Sequence, residues 1–300
     1  MLVVDLTRRF SNGLVLDGGL ATELERRGAD LRDDLWSAKV LVENPRLIRE
    51  VHAAYFAAGA DVATTASYQA SFEGFARHGL DPDDTVQMLR LSVRLAREAA
   101  DEAGPGRLVA ASIGPFGAMR ADGSEYVGRY GVTVHELVDF HRPRLETLLE
   151  TGPDLLAVET IPAIEEAEAI LTLLDDYPEV SAWVSFSCRD GTHISDGARF
   201  EDAAALAASS PRVVAVGVNC TPPGFVPSLL AGAGTLPVPL LTYPNLGSTW
   251  DAVAKSWRAE GPRPDFGLEA PRWREAGATI VGGCCGTTPD DILAIAAAIR

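Results

Sequence analysis

The sequence has few cysteines, no long apolar run and no excess of positive charge, and each absence excludes a class of protein. Four cysteines in 300 residues are too few for the disulfide framework of a small secreted domain. No apolar stretch approaches the roughly 18 residues that a membrane-spanning helix needs. The opening MLVVDLTRRF also lacks the parts of a secretory signal peptide. We therefore expect a cytoplasmic protein that does not enter a membrane.

The charge balance argues against nucleic acid as a partner. The formal net charge is −16, from 26 Lys and Arg against 42 Asp and Glu. This is the wrong sign for neutralising phosphates, and no cluster of basic residues stands out against it. An acidic protein instead favours cationic small molecules near its clefts. The sequence thus predicts a small-molecule ligand and no nucleic-acid partner.

Short runs rich in Val, Leu, Ile and Ala alternate along the chain with stretches of helical periodicity. No internal repeat, low-complexity tract or linker divides the sequence, and runs that are apolar throughout are typical of buried parallel strands. The predicted strands are 14–17, 61–65, 108–112, 155–159, 182–187, 213–218, 238–242 and 279–282. The predicted helices are 45–58, 82–103, 134–150, 164–175, 201–208, a short one after Phe225, one near 269–276, and 289–299.

This alternation predicts an α/β protein built as one (β/α)8 TIM-type barrel over residues 1–300. Right-handed crossovers and the chain length favour a closed barrel over an open doubly wound sheet. Two segments that leave strands, 114–131 and 243–267, are long, and long loops without structure of their own are often functional. Because barrel enzymes work at the C-terminal ends of their strands, the side chains at those ends are the candidates for chemistry.

Three cysteines follow two of the predicted strands. Cys220 ends the segment GVNC, and Cys284 and Cys285 lie within GGCCG, whose glycines permit a tight turn. Three thiolates with a vacant fourth position are the arrangement of a catalytic zinc site, and a substrate thiol could fill that position as a thiolate. Two alternatives stay open for the adjacent pair: ordinary buried side chains, or a strained vicinal disulfide. Cys188 is interpreted as a small core side chain.

Carboxylates and glycine amides at other strand ends suggest a site for an amino acid. Asp17 and Glu159 follow the first and fourth strands and suit an α-amino group. The amides around Gly18 and Gly19 suit an α-carboxylate. Each carboxylate alone also has an ordinary interpretation, as a helix cap for Asp17 and as the partner of a neighbouring arginine for Glu159.

Aromatic and amide side chains complete the predicted site. Trp36 and Tyr68 could form an aromatic wall that holds a cationic sulfonium or ammonium group, although packing is the commoner role of a single aromatic side chain. Asn219, which directly precedes Cys220, is predicted to contact the substrate. The five histidines fall mostly in predicted helices without ligand spacing, and none is assigned to the metal.

These segments resemble the zinc-dependent homocysteine S-methyltransferase family over essentially the whole chain. The resemblance is carried by GVNC, GGCCG, DGGLATELERRG at 17–28 and LWSAKVLVENP at 35–45. TASYQA at 65–70, ADGSEY at 121–126 and FHRPR at 140–144 are similar to the bacterial branch that uses S-methylmethionine. The resemblance implies a barrel with one zinc ion held by Cys220, Cys284 and Cys285. It also implies homocysteine as the incoming ligand, with Asp17 and Glu159 at its amino group and the backbone of Gly18 and Gly19 at its carboxylate.

The activity implied by the resemblance is an in-line methyl transfer from a sulfonium donor, S-methylmethionine first, to zinc-bound homocysteine. The product is methionine, and no separate general base is expected once the thiol proton has been lost. Betaine-using relatives carry a tyrosine where this chain has Thr160, which argues against betaine. The alternatives are S-adenosylmethionine as donor, selenocysteine as acceptor, a zinc or amino-acid-binding module without catalysis, one half of a cobalamin-dependent assembly, and a redox protein using a Cys284–Cys285 disulfide.

Overall fold

The strands close into a parallel barrel, as the sequence predicts. The computed structural model describes residues 3–31, 35, 37–251, 256–258 and 261–300. Its strands are β1 (Leu14–Val15), β2 (Val62–Thr64), β3 (Leu108–Ile113), β4 (Leu155–Ile161), β5 (Ala182–Phe186), β6 (Val213–Asn219), β7 (Leu240–Tyr243), β8 (Thr249–Asp251), β9 (Ser256–Arg258) and β10 (Ala278–Val281). Within these ranges, eight strands form one sheet in the order β1, β10, β7, β6, β5, β4, β3, β2. Leu16 bridges Val62 in parallel, and the Asp17 N–H donates to the Val62 carbonyl at 3.1 Å, so the two edges meet.

Helices connect the barrel strands. They are α1 (Val3–Ser11), α2 (Leu20–Arg26), α3 (Ser37–Glu43), α4 (Pro45–Ala57), α5 (Phe72–Arg77), α6 (Pro82–Ala103), α7 (Phe116–Arg120), α8 (Val134–Leu149), α9 (Ile164–Asp175), α10 (Phe200–Ala208), α11 (Val226–Gly232), α12 (Phe266–Glu275) and α13 (Pro289–Ile299). Each predicted helix is present. The sequence misses α1, α2, α3, α5 and α7, which have 5–9 residues and are too short for a clear helical period. In the described ranges, no helix is long and apolar enough to span a bilayer.

Helix α1 closes the N-terminal end of the barrel. Two residues separate it from β1, and its Leu6 and Phe10 are fully buried in the cluster of side chains that fills the barrel. The Phe10 ring lies 6.2 Å from that of Trp183 on β5. Since this end is filled by apolar side chains, the C-terminal ends of the strands are the end available for a site.

The two long segments after β3 and β7 are not structureless, which corrects the sequence-based expectation. Residues 114–131 contain α7 and a 3-10 turn, Ser124–Tyr126. In 243–267, β8 and β9 pair as an antiparallel hairpin. Both segments leave the barrel at its C-terminal end, and residues of the first, Ala121, Glu125 and Tyr126, line the cavity there.

Candidate functional site

Cys220, Cys284 and Cys285 converge at the C-terminal end of the barrel. Cys220 follows β6 and the adjacent pair follows β10, and these two strands flank β7. The three sulfur atoms all lie within 4.8 Å of one another, with 3.6 Å between Cys220 Sγ and Cys285 Sγ. Sulfurs at about 2.3 Å from one tetrahedral zinc ion stand roughly 3.8 Å apart. The cluster therefore has the spacing and the soft donor atoms that a zinc ion requires.

The segment after β7 holds the two cysteine-bearing loops in place. The Cys220 N–H donates to the Tyr243 carbonyl at 3.2 Å, and Asn245 Nδ2 donates to the Cys220 carbonyl at 3.0 Å. The Cys284 N–H donates to the Pro244 carbonyl at 2.9 Å. Cys220 has a φ of +46°, in the left-handed region that side-chain-bearing residues rarely adopt. These hydrogen bonds hold that strained backbone and so aim the thiol at its partners.

The glycines of GGCCG are required by space and by backbone conformation. A Cβ on Gly283 would lie 2.4 Å from Thr287 Oγ1, and a Cβ on Gly282 would lie 2.6 Å from the Leu16 Cβ. Gly286 has a φ of +84°, which glycine adopts readily. The turn that presents two adjacent cysteines to one point thus depends on these residues.

The three thiols do not hold their protons equally. Hydrogen bonds from Cys284 and Cys285 keep the pKa of Cys220 well below its usual range, because they favour the thiolate. The same bonds raise the pKa of Cys284 and Cys285, which act as donors. Cys220 also lies 3.2 Å from the Tyr126 hydroxyl. A metal ion that bound all three sulfurs would displace the remaining thiol protons.

Asp17 bonds the neighbouring strand and does not cap a helix. Its Oδ2 accepts the Thr64 N–H at 2.7 Å, and its Oδ1 accepts the Thr64 hydroxyl at 3.0 Å. Helix α2 has Gly19 at its N-cap, without a side-chain cap. Burial raises the pKa of Asp17 to about 8, against the lowering effect of the Thr64 bonds, and the charge of Glu159 raises it further. An incoming cation would favour the ionised form of this carboxylate.

Glu159 lies near the end of β4, where the register with β5 shifts between Val158 and Ile161. Its Oε1 accepts a short hydrogen bond from the Ser112 hydroxyl, and the Tyr243 side chain also bonds it. No arginine pairs with Glu159 among the residues that the structure describes. Burial raises its pKa to about 7. Glu159 is thus a second buried carboxylate that faces the site without a protein cation.

Asn219 lies behind the wall of the site. The sequence predicts a substrate contact for it, whereas its Oδ1 accepts the Thr160 N–H at 2.7 Å and the Ser185 hydroxyl at 2.8 Å. Its Nδ2 donates to Thr160 Oγ1 at 2.7 Å and lies 3.9 Å from Cys284 Sγ. Thr160 has a φ of +61°, in a region that is unfavourable for residues with a side chain. The hydrogen bonds with Asn219 stabilise this strained backbone beside Glu159.

Gly18 and Gly19 line the site with their backbone. A Cβ on Gly18 would lie 2.7 Å from Tyr55 Cε1. The Gly19 N–H donates to Thr287 Oγ1 at 3.0 Å, and that hydroxyl donates to the Cys284 carbonyl at 2.7 Å. The predicted amide site is therefore joined to the cysteine loop, with the Gly19 amide already engaged.

One open cavity joins these groups. It holds about 1080 Å³ of empty space, counted to its open mouth. The polar and thiol side chains that line it are Asp17, Thr22, Ser37, Thr64, Thr65, Tyr68, Gln69, Glu125, Tyr126, Glu159, Thr160, Cys220, Tyr243, Cys284 and Cys285. The predicted Trp36 lies outside the described residues. In the described part of the chain, no lysine or arginine lines the cavity, so its charged side chains are all acidic.

Sequence reasoning misses Glu125 and Tyr126 as site residues. Both line the cavity and belong to the 3-10 turn within the 114–131 segment. The only signal for them is the motif ADGSEY, because no spacing rule places a turn from this segment over the strand ends. Cys188, by contrast, is buried apart from the sulfur cluster, in keeping with its interpretation as a core side chain.

One buried carboxylate accepts hydrogen bonds from residues near both ends of the 114–131 segment. Glu166 of α9 accepts the Phe116 N–H on Oε1 at 2.5 Å and the Tyr130 hydroxyl on Oε2 at 3.0 Å. His141 Nε2 lies 2.8 Å from the same Oε1, and both Glu166 and His141 are fully buried. This contact fixes the position of the turn that lines the cavity.

We expect Glu166→Gln to loosen the 114–131 segment, because glutamine replaces one of the two acceptor oxygens with a donor. The unfolding free energy should fall by about 1–3 kcal/mol, measured by urea denaturation. Amide hydrogens of the segment should exchange faster, measured by mass spectrometry. Glu165→Gln, at the exposed neighbouring position, is the control. Unchanged exchange in Glu166→Gln would mean that other contacts fix the segment.

The comparisons with known proteins agree with this site. A family profile described as homocysteine S-methyltransferase matches residues 14–299. The homocysteine S-methyltransferase YbgG of Bacillus subtilis is 48% identical over 297 residues, covering 96% of this chain and 94% of the relative. The homocysteine S-methyltransferase of Escherichia coli is 50% identical over 293 residues, covering 95% and 94%. This chain is also similar to a crystal structure of the homocysteine methyltransferase MmuM from Escherichia coli in its metallated form. The two superpose with a TM-score of 0.86 at 47% sequence identity, and the match covers 95% of this chain and 96% of the other.

Proposed function

Because the chain belongs to the homocysteine S-methyltransferase family, we propose that its cysteine cluster holds a zinc ion and that a sulfonium compound supplies the methyl group. The chain is an enzyme that transfers a methyl group to homocysteine, which gives methionine. S-methylmethionine is the first candidate donor. The observation that carries the zinc proposal is the convergence of three sulfurs within 4.8 Å.

The donor set fits zinc. Cys220, Cys284 and Cys285 would hold the ion, since thiolate ligands select soft or borderline metals over magnesium or calcium. Zinc would hold the homocysteine sulfur as a thiolate at neutral pH. The three cysteines line the cavity, so the substrate thiol has access to them from the open side.

Asp17 and Glu159 are proposed to bind the homocysteine ammonium group. Both carboxylates line the cavity, and burial raises the pKa of each. An ammonium group placed between them supplies the positive charge that the described protein side chains do not, and it stabilises both in the ionised form. The backbone around Gly18 and Gly19 lines the same side of the cavity and is proposed to meet the carboxylate.

The methyl transfer itself requires alignment and a dry cavity. A bond forms between the homocysteine sulfur and the methyl carbon while the bond from that carbon to the donor sulfur breaks, and a neutral thioether leaves. A negative and a positive charge disappear in this step, so exclusion of water favours it. Tyr68, Tyr126 and Tyr243 line the cavity and limit the access of water. With S-methylmethionine as donor, both products are methionine.

The test is methionine formation by the purified protein with homocysteine and, in turn, S-methylmethionine, S-adenosylmethionine or betaine. Metal content is measured on the same sample, and each reaction is repeated after chelation. We expect one zinc ion per chain and chelator-sensitive turnover with sulfonium donors. Turnover without zinc would refute the metal proposal, and turnover with betaine alone would refute the sulfonium proposal. Selenocysteine in place of homocysteine tests the alternative acceptor.

A further inference from the structure

Glu125 is a buried carboxylate in the cavity that the homocysteine site does not use. It is 9% exposed and lines the cavity. Backbone N–H groups of Gly123 and Glu125 bond the carboxylate, but within the described part of the chain its Oε2 has no hydrogen-bond partner. A buried carboxylate oxygen without a partner is costly. This oxygen therefore needs a donor or a positive charge, and the side chain that carries it lines the cavity.

Glu125 reaches the cavity from a different element of the fold than the other two carboxylates. Asp17 follows β1 and Glu159 lies in β4, whereas Glu125 belongs to the 3-10 turn Ser124–Tyr126. The residue next to Glu125, Tyr126, places its hydroxyl 3.2 Å from Cys220 Sγ. The turn that carries Glu125 thus contacts the sulfur cluster, and Glu125 lines the same cavity as Tyr68 and Tyr126.

The methyl donor must bring its sulfonium group to this part of the cavity. The methyl carbon has to approach the homocysteine sulfur at the cluster, so the donor sulfur can stand only one methyl group further away. A carboxylate and aromatic rings are the groups that bind such a cation. Building on the proposed sulfonium donor, we propose that Glu125 binds the sulfonium group of the methyl donor and sets the preference for a cationic donor over its neutral thioether product.

This role has a kinetic signature. The positive charge is present in the bound donor, decreases in the transition state and is absent from the thioether. Glu125 therefore stabilises the bound donor at least as much as the transition state, and its loss should appear in KM for the donor more than in kcat. The same loss should leave binding of the uncharged thioether unchanged.

The test is steady-state kinetics of Glu125→Gln with the zinc-loaded full chain. We expect KM for S-methylmethionine to rise by about 10-fold to 100-fold, with kcat within about threefold of the unaltered protein and KM for homocysteine unchanged. Inhibition by methionine, the neutral thioether, should not weaken. Glu125→Asp, which keeps the charge on a shorter side chain, should recover part of the loss. Glu179→Gln, an exposed position, controls for net charge.

The outcomes separate this inference from the function on which it rests. The unaltered protein assayed beside the variants reports on the sulfonium donor itself, and no turnover with any sulfonium would overturn both. Turnover by the unaltered protein, with an unchanged donor KM in Glu125→Gln, would overturn the role of Glu125 alone. A rise in KM for homocysteine instead would assign the carboxylate to the acceptor. Bound zinc and melting temperature, measured on each variant, identify a variant that has not folded.

Discussion

Replacing Cys284 with serine should remove the bound metal ion and abolish measurable methionine formation. A serine hydroxyl is not ionised at neutral pH and is a poor ligand for a soft site. Loss of a residue that merely supports a ligand costs about 10-fold to 100-fold in metal affinity or activity, so loss of a ligand should cost more than about 100-fold. The loop itself should keep its shape, because the Cys284 N–H bonds the Pro244 carbonyl through the backbone. Metal analysis and the methionine assay on one sample measure both effects.

Cys188 provides the matched control for this experiment. It is buried, its N–H donates to Thr221 Oγ1 at 3.0 Å, and it lies outside the sulfur cluster. Cys188→Ala should therefore keep both metal and turnover. Cys220→Ala and Cys285→Ala should behave like Cys284→Ser, because each removes one sulfur from the same cluster. A Cys284→Ser protein with full metal content and full turnover would show that the cluster is not the metal site.

The barrel fold and the proximity of the three cysteines could be predicted, because both depend on patterns that are local in the sequence. Each barrel strand is a short apolar run, and the count of strands places the turns after β6 and β10 at one end of the barrel. The strand limits depend on neighbours and are less predictable. β4 runs two residues past its predicted end, because Ile161 pairs again with Phe186 of β5 after the irregularity at Glu159 and Thr160. Asn219, 59 positions from Thr160, bonds the Thr160 N–H in that irregular turn.

The rest of the site depends on contacts between distant parts of the chain. Glu125 and Tyr126 reach the cavity because Glu166 holds both ends of the 114–131 segment, and nothing in the local sequence shows that contact. Asn219 has a local signal in the sequence, because it directly precedes Cys220, but it is not among the side chains that line the cavity. Its position beside Cys220 predicts a substrate contact, which stays a prediction, and in this structure its amide bonds residues of β4 and β5. A residue's place next to a ligand in the sequence thus does not decide which way its side chain points.

Neutralising Asp17 should lower activity strongly. Loss of one partner from a buried charge pair costs about 2–5 kcal/mol, so kcat/KM for homocysteine should fall on the order of 100-fold in Asp17→Asn. The change should appear in KM for homocysteine, while KM for the donor stays the same. Glu159→Gln should act in the same direction, because the two carboxylates are proposed to share one ammonium group. Equal losses for donor and acceptor would show that Asp17 does not bind the amino group.

The same substitution should make the ligand-free protein more stable at alkaline pH. Burial raises the pKa of Asp17 from 3.8 to about 8, so between these values the folded carboxyl is protonated while the unfolded one is ionised. The folded state then binds more protons, and stability falls as pH rises through this window. Asparagine cannot ionise, so the variant does not lose stability in this pH window.

We expect the melting temperatures of Asp17→Asn and of the unaltered protein to be closest near pH 4 and to separate towards pH 8, with the variant melting at the higher temperature. Glu179→Gln, whose carboxylate is exposed, should show no such separation. A variant that is less stable at pH 8 would mean that the Thr64 hydrogen bonds to Asp17 outweigh the cost of burying its charge.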